Sequence, residues 1–201
     1  MKLQIGKSKN EEELIQACLK GDRKAQKDLY TRYASKMMGV CVRYIKNRDD
    51  AEDVLISAFM KIFEKLHTFQ MEGSFEGWIR RIMVNDCLMW IRKNKYMYVE
   101  VDADQAPADP NLTVLENHLH EEELLAMIQQ LPEGYRTVFN LYVIEGYSHK
   151  EIADLLSINE NTSKSQLSRA RVYLQKQLAQ LEKEITFNTN KNEPSTHRPT
   201  I

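Results

Sequence analysis

Glycine and proline are scarce in this 201-residue sequence, which holds only seven and five of them. These two residues form most tight turns, so their scarcity disfavours a turn-rich sheet protein. Residues with high helix propensity, such as Leu, Glu, Lys, Gln and Ala, are frequent instead. The composition predicts an all-α protein, and 42% hydrophobic residues are enough to fill its cores.

Cysteines are also few and are far apart: Cys18, Cys41 and Cys87. Their odd number and apolar neighbours disfavour a disulfide framework or a zinc site, and we expect reduced core residues. No window approaches the roughly 18 apolar residues of a membrane span, and no apolar run follows a basic start at the N-terminus. We therefore expect a cytoplasmic protein without direct membrane insertion.

The motifs of enzymes are missing as well. The sequence contains no Gly-rich phosphate loop, nucleophile motif or His/Cys cluster, and His118 with His120 in an acidic region is too little for a metal site. An enzyme is the least favoured class of function, and we expect no cofactor and no metal.

Charge is segregated along the chain, although the net charge is only -1. Residues 99–123 hold eight acids and no Lys or Arg, whereas residues 161–178 hold four bases and no acid. Because the local charge of a surface decides what it attracts, the low net charge does not exclude a nucleic-acid partner.

The apolar periodicity divides the chain into four segments. We predict a domain of four amphipathic helices at 10–97, a flexible acidic linker at 98–120, a second helical domain at 121–183 and a disordered tail at 184–201. In the second domain, Tyr135, Val138, Phe139 and Tyr142 are predicted to share an apolar face.

Two helical patterns separated by Ser157, Ile158 and Asn159 predict a helix-turn-helix, in which Asn159 caps the second helix. Small polar and cationic residues lie on the face of that helix opposite its Leu stripe, as a helix that enters the major groove requires. They are Asn161, Lys164, Ser165, Ser168, Arg169 and Arg171. The alternative is an ordinary solvated helix face.

A second basic helix is predicted within residues 75–95. Arg81, Asn85, Leu88 and Arg92 share one of its faces, and exposed Leu88 and Val84 would suit unstacked bases of a single strand. A solvated amphipathic helix is the alternative. The apolar stripe holds Trp78 and Trp90, interpreted first as core residues, and also Asp86, whose partner the sequence does not identify.

Four stretches carry a resemblance to the extracytoplasmic-function (ECF) group of bacterial RNA polymerase sigma factors, over residues 10–183. They are RDDAEDVLISAFMKIF (48–63), FEGWIRRIMVND (75–86), LPEGYRTVFNLYVIEGYSHKEIADLLSIN (131–159) and NTSKSQLSRAR (161–171). The resemblance implies a sigma-two-like domain and a sigma-four-like domain, and a transcription initiation factor without catalytic chemistry.

The resemblance also implies partners and site residues. Core RNA polymerase would bind Asp49, Asp50, Glu52, Asp53 and Ile56. The minus-ten promoter element would be read by Arg80, Arg81, Asn85, Arg92 and Lys93. The minus-thirty-five element would be read by Asn161, Lys164, Ser165, Ser168, Arg169 and Arg171. An anti-sigma factor would hold the protein inactive.

The chain departs from the family pattern at three places. Ile56 replaces a frequent Gln, Met89 replaces an Asp, and Thr162-Ser163 replaces Thr-Val. Ser163 lies on the buried side of its helix, where its hydroxyl needs a backbone partner or costs about 1 to 3 kcal/mol.

Two other classes of function stay open from the sequence. A two-domain regulator that binds an operator without polymerase would explain the helix-turn-helix. A helical adaptor that binds only protein would need no DNA affinity. Separately, the acids at 49–53 have an alternative interpretation without any partner, in which they only favour a helix N-terminus.

Overall fold

The computed structural model describes residues 4–94 and 121–191. Every regular element in these two ranges is helical, which confirms the predicted all-α class. The chain divides into two compact units, Met1–Asp102 and Ala103–Ile201. The whole of the predicted linker at 98–120 lies outside the described residues. Within them, no helix is both long and apolar enough to cross a bilayer.

The four helices predicted for the first unit are present. They are α1 (Gln4–Leu19), α2 (Arg23–Tyr44), α3 (Arg48–Lys65) and α4 (Phe75–Asn94), and a short 3-10 turn (Leu66–Thr68) follows α3. Side-chain caps set the N-terminal ends of α2 and α3. Asp22 accepts hydrogen bonds from the backbone amides of Lys24 and Ala25, and Asn47 caps α3 in the same way.

The core of the first unit is built by all four helices. Helix α4 packs against both α2 and α3, and α1 packs on α2. The three cysteines are buried and free, as predicted. Burial raises the pKa of the Cys18 thiol, which keeps it protonated at neutral pH.

The described part of the second unit, residues 121–191, contains four helices and a π-helical turn. They are α5 (Glu121–Gln130), α6 (Glu133–Phe139), the π-helical turn (Asn140–Ile144), α7 (His149–Leu156) and α8 (Glu160–Lys191). Arg136 ties α5 to α6, because its buried guanidinium donates to the carbonyls of Gln129 and Leu131 at 3.3 and 3.2 Å. Burial lowers the pKa of Arg136 from its usual range.

Helix α8 is longer than the sequence pattern predicted. The disordered tail was expected to begin at residue 184, but the helix continues to Lys191. A helix already formed extends at one hydrogen bond per residue, so it needs no apolar stripe to persist for two more turns. Residues 192–201, the rest of the predicted tail, lie outside the described residues.

Candidate nucleic-acid and protein interfaces

The predicted helix-turn-helix is present with the predicted three-residue turn. Helix α7 starts with a capping box, in which the Ser148 hydroxyl accepts from the Glu151 amide and the Glu151 carboxylate accepts from the Ser148 amide. It ends at Ser157, which adopts the left-handed conformation with φ 55°. The Asn159 side chain accepts from the Asn161 amide at 2.8 Å and starts α8, as predicted.

The six residues of α8 predicted to contact DNA, called here the α8 polar face, differ in exposure. Asn161, Lys164 and Ser165 in the first turns are exposed, whereas Ser168, Arg169 and Arg171 are half-buried. Lys164 forms an ion pair with Glu160 at 2.8 Å, and this contact lowers the pKa of Glu160. The exposed end of α8 therefore presents an amide, a hydroxyl and a cation together.

Ser163 lies directly behind this face and is fully buried. The sequence predicted a backbone partner or an energetic penalty, but the structure gives its hydroxyl a side-chain partner: Ser163 Oγ lies 2.9 Å from His149 Nδ1. The His149 ring stacks on Tyr142, with ring centroids 4.4 Å apart. Tyr142 was predicted to belong to the apolar face of α6; it is exposed, since it lies in the π-helical turn and not in a continuous α-helix.

The second basic surface lies on α4. Arg81, Asn85, Arg92 and Lys93 are exposed, and Arg80 is half-buried. With Met89, the four exposed residues form a narrow band, called here the α4 strip. Lys95, the last predicted base of this helix, lies outside the described residues.

The prediction that Val84 and Leu88 are exposed on this helix is wrong. Both are only 1% exposed. Helix α4 contacts two neighbouring helices, so its buried face is wider than the half-cylinder that an amphipathic pattern assumes. Met89, which is 56% exposed, is the apolar residue that lies between Asn85 and Arg92.

Asp86 on the buried side of α4 has a partner that the sequence did not identify. Its carboxylate accepts from Lys61 Nζ on α3 at 2.8 Å. The tryptophans of α4 are half-buried, so they are only partly core residues. Trp78 packs on Phe69 and stacks on Phe75, with centroids 5.5 and 5.7 Å apart.

The acids of α3, called here the α3 acidic face, lie in its first two turns. Asp49, Glu52 and Asp53 are exposed, and Asp50 is half-buried. Ile56 is 51% exposed on the next turn, consistent with its position off the buried stripe. Met60 is 69% exposed. The sequence-based prediction of this surface did not include it, although its spacing of four residues from Ile56 indicates the same side of the helix.

Metal-ligating side chains do not cluster within the described ranges of either unit. No group of three or more His, Cys, Asp or Glu side chains there could hold a metal ion. His118 and His120 lie outside those ranges. What the described residues do present is charged and apolar surface on three helices, which is suited to binding macromolecules.

Comparison with known proteins identifies the family. The Sigma-70 region 2 model matches residues 29–96, and the Sigma-70, region 4 model matches residues 121–174. The ECF RNA polymerase sigma factor SigW of Bacillus subtilis is 32% identical over 179 residues, which cover 83% of this chain and 96% of that protein. The ECF RNA polymerase sigma-E factor of Haemophilus influenzae is 29% identical over 181 residues, 84% of this chain and 95% of that protein.

Among solved structures, the chain aligns with the sigma factor RpoE in complex with the anti-sigma factor NepR from Bartonella quintana. The TM-score is 0.49 at 21% identity, and the alignment covers 76% of this chain and 96% of that one. The match to SigW alone spans nearly the whole of a named ECF factor. This chain belongs to the ECF RNA polymerase sigma factors, which are transcription initiation factors and not enzymes.

Proposed function

We propose that this sigma factor binds bacterial core RNA polymerase and directs it to promoters through one DNA-binding surface in each unit. The observation that carries this proposal is the exposed N-terminal end of α8, where Asn161, Lys164 and Ser165 follow a three-residue turn. Such a helix end can enter the major groove, and the α4 strip supplies a second cationic surface.

The α8 polar face reads the minus-thirty-five element in this proposal. The short side chains of Asn161 and Ser165 allow a close approach to base edges, and Lys164 is exposed beside them. Arg169 and Arg171 follow along the same helix, where they would hold phosphates and fix the register of the helix on the duplex.

The α4 strip, with Arg80 beside it, contacts the minus-ten element. The cations Arg81, Arg92 and Lys93 would follow the backbone of a separated strand, and Asn85 and Met89 lie between them for contact with a base. Binding of the strand would offset the few kcal/mol that unstacking requires, so this protein needs no hydrolysis to open DNA.

The α3 acidic face and Ile56 bind the polymerase. Asp49, Asp50, Glu52 and Asp53 form an anionic patch at the start of α3, and Ile56 adds apolar area next to it. Opposite charges on the polymerase would steer association, and the apolar contact would slow dissociation. The chain would act in the cytoplasm, where its polymerase and DNA are.

An anti-sigma factor is the proposed regulator. Ile56 and Met60 are large exposed apolar side chains on adjacent turns, next to the α3 acidic face. A protein that covers them would block polymerase binding and bury apolar surface at the same time. The regulator and the polymerase would therefore compete for one surface.

The test is reconstitution with core polymerase, followed by run-off transcription on a genomic library. We expect co-purification and transcription from a restricted set of promoters, with weak duplex binding by the chain alone. Strong operator binding without polymerase would instead identify a regulator. If the chain binds neither polymerase nor DNA, the result would instead support an adaptor that binds only protein.

Matched variants assign the surfaces. Lys164→Ala should weaken promoter binding and reduce its salt dependence, whereas Lys176→Ala, an exposed lysine farther along α8, should not. Asp53→Ala should weaken polymerase binding more than Glu64→Ala at the other end of α3. Equal effects within either pair would contradict the assignment.

For the α4 strip, Asn85→Ala should reduce permanganate reactivity of the promoter while leaving closed-complex affinity close to that of the unsubstituted protein. Arg92→Ala should weaken open complexes more than Arg32→Ala, an exposed arginine on α2. Unchanged footprints with both α4 variants would remove this surface from the proposal.

A further inference from the structure

Three elements of the second unit meet at the imidazole of His149. The residue occupies the first position of α7, directly after the cap Ser148. Its ring stacks on Tyr142 of the π-helical turn with an interplanar angle of 21°, and its Nδ1 lies 2.9 Å from the hydroxyl of Ser163 on α8. One side chain thus bridges the segment before α7 and the helix after it.

The His149–Ser163 contact is a second joint between α7 and α8. The first joint is the turn at Ser157–Asn159, which connects the end of α7 to the start of α8. A turn fixes the position of two helix ends but leaves their crossing angle adjustable. Packing of α7 against α8 limits that angle, and a hydrogen bond from the opposite end of α7 to the first turns of α8 restricts it further.

Ser163 is well placed to transmit this constraint to the DNA-facing side. It is fully buried, and its neighbours Thr162 and Lys164 flank it in the same turn as the exposed end of the α8 polar face. Hydrogen bonds to base edges tolerate only a few tenths of an ångström in donor–acceptor distance. A small rotation of α8 about its own axis would therefore separate Asn161 and Ser165 from their bases.

We propose that His149 is a positioning residue that, through Ser163, sets the orientation of α8 in which the minus-thirty-five element is read. This inference rests on the proposed role of the α8 polar face. His149 itself contacts no base, and its effect on DNA binding passes through the Ser163 hydroxyl.

The surroundings of the His149 ring favour its neutral form. Partial burial, Lys164 and Arg171 lower the pKa of His149, and Glu160 only partly opposes them. The neutral ring can form the bond in either tautomer: Nδ1 accepts the hydroxyl proton when Nε2 carries the ring hydrogen, and otherwise donates to Ser163 Oγ. The hydrogen bond between His149 and Ser163 can therefore form without adding a charge next to the cations of α8.

Three substitutions in the full chain, assembled with core polymerase, separate the hydrogen bond from the ring. His149→Phe keeps a ring for stacking but loses Nδ1. His149→Asn places an amide near the Nδ1 position. Ser163→Ala removes the hydroxyl. We expect His149→Phe and Ser163→Ala each to weaken holoenzyme binding by about threefold to tenfold, the range for one lost hydrogen bond.

Two results would distinguish a change in the orientation of α8 from a general loss of stability. The double variant His149→Phe/Ser163→Ala should bind no more weakly than either single variant, and His149→Asn should recover most of the affinity. A promoter with a scrambled minus-thirty-five element should bind all variants equally. Thermal unfolding establishes a temperature at which every variant is fully folded.

Additive losses, or equal losses on the scrambled promoter, would overturn the inference, as would unchanged affinity for both single variants. If the unsubstituted holoenzyme ignores the minus-thirty-five element, the proposed role of α8 fails instead. Backbone amide chemical shifts of residues 160–165 in the free chain then decide whether His149 orients α8. Shifts unchanged by His149→Phe would contradict it.

Discussion

Lys61 on α3 and Asp86 on α4 form an ion pair of 2.8 Å in which the carboxylate is buried and the ammonium is partly exposed. This asymmetry matters, because a buried charge that loses its partner cannot reach solvent, whereas an exposed one can. The pair also links α3 and α4, the two helices that present the α3 acidic face and the α4 strip.

We expect Lys61→Ala to lower the free energy of unfolding by about 1 to 3 kcal/mol, because it leaves the Asp86 carboxylate buried and unpaired. Asp86→Asn should lower it less, since Lys61 can turn toward water. Urea unfolding measures both. The control is Lys36→Ala, which breaks the exposed 2.7 Å pair with Glu76 and should change the free energy by less than about 0.5 kcal/mol. Equal effects of Lys61→Ala and Lys36→Ala would contradict this explanation.

The two faces of α4 should respond differently to truncation. Leu88→Ala removes a fully buried side chain and should lower the free energy of unfolding by about 2 to 5 kcal/mol. Met89→Ala on the neighbouring exposed position should change it by less than about 0.5 kcal/mol. Chemical denaturation of the two variants checks the corrected assignment of the face, and a larger effect at Met89 would reverse it.

Ser157 is a position where glycine should stabilise the protein. Its φ of 55° costs a residue with a side chain roughly 1 to 2 kcal/mol, whereas glycine adopts it freely. After the greater entropy of glycine in the unfolded chain is subtracted, Ser157→Gly should raise stability by about 0.5 to 1 kcal/mol. Asp154→Gly, at an exposed interior position of α7, should lower stability by about 0.3 kcal/mol, because Asp is already a weak helix former. Thermal unfolding of both variants tests the sign.

His149 predicts a pH dependence of stability. Because its pKa is lowered in the folded state, the unfolded chain binds the proton more tightly, so stability is complete above about pH 6.5 and decreases as the pH falls toward the folded pKa. Unfolding measured from pH 5.5 to 8 should show this loss, and His149→Asn should remove that part of it. Lys164→Ala should raise the pKa of His149, as followed by NMR titration. A pKa indifferent to Lys164 would contradict the electrostatic cause.

The local features of this fold were predictable from the sequence. Side-chain caps such as Asn159 and the three-residue turn depend on residues that are neighbours in the chain, so their signals are short-range. The four helices of the first unit were predictable for the same reason, because each carries its own apolar period.

The errors concern features that several helices determine together. Leu88 is buried because α4 has two neighbours, and one periodic pattern does not reveal how many neighbours a helix has. The partners of Asp86 and Ser163 lie 25 and 14 residues away. The roles of the three surfaces in binding stay predictions, because the described residues contain the surfaces but not the molecules they bind.

Helix α4 is covered on two sides, which leaves one outward row of side chains. If this row contacts the minus-ten element as proposed, a change at Asn85 or Met89 alters which bases are preferred while the core beneath stays intact. Few substitutions in that row would suffice to redirect such a factor to other genes, so its lineage could diversify in regulatory output without losing the ability to fold.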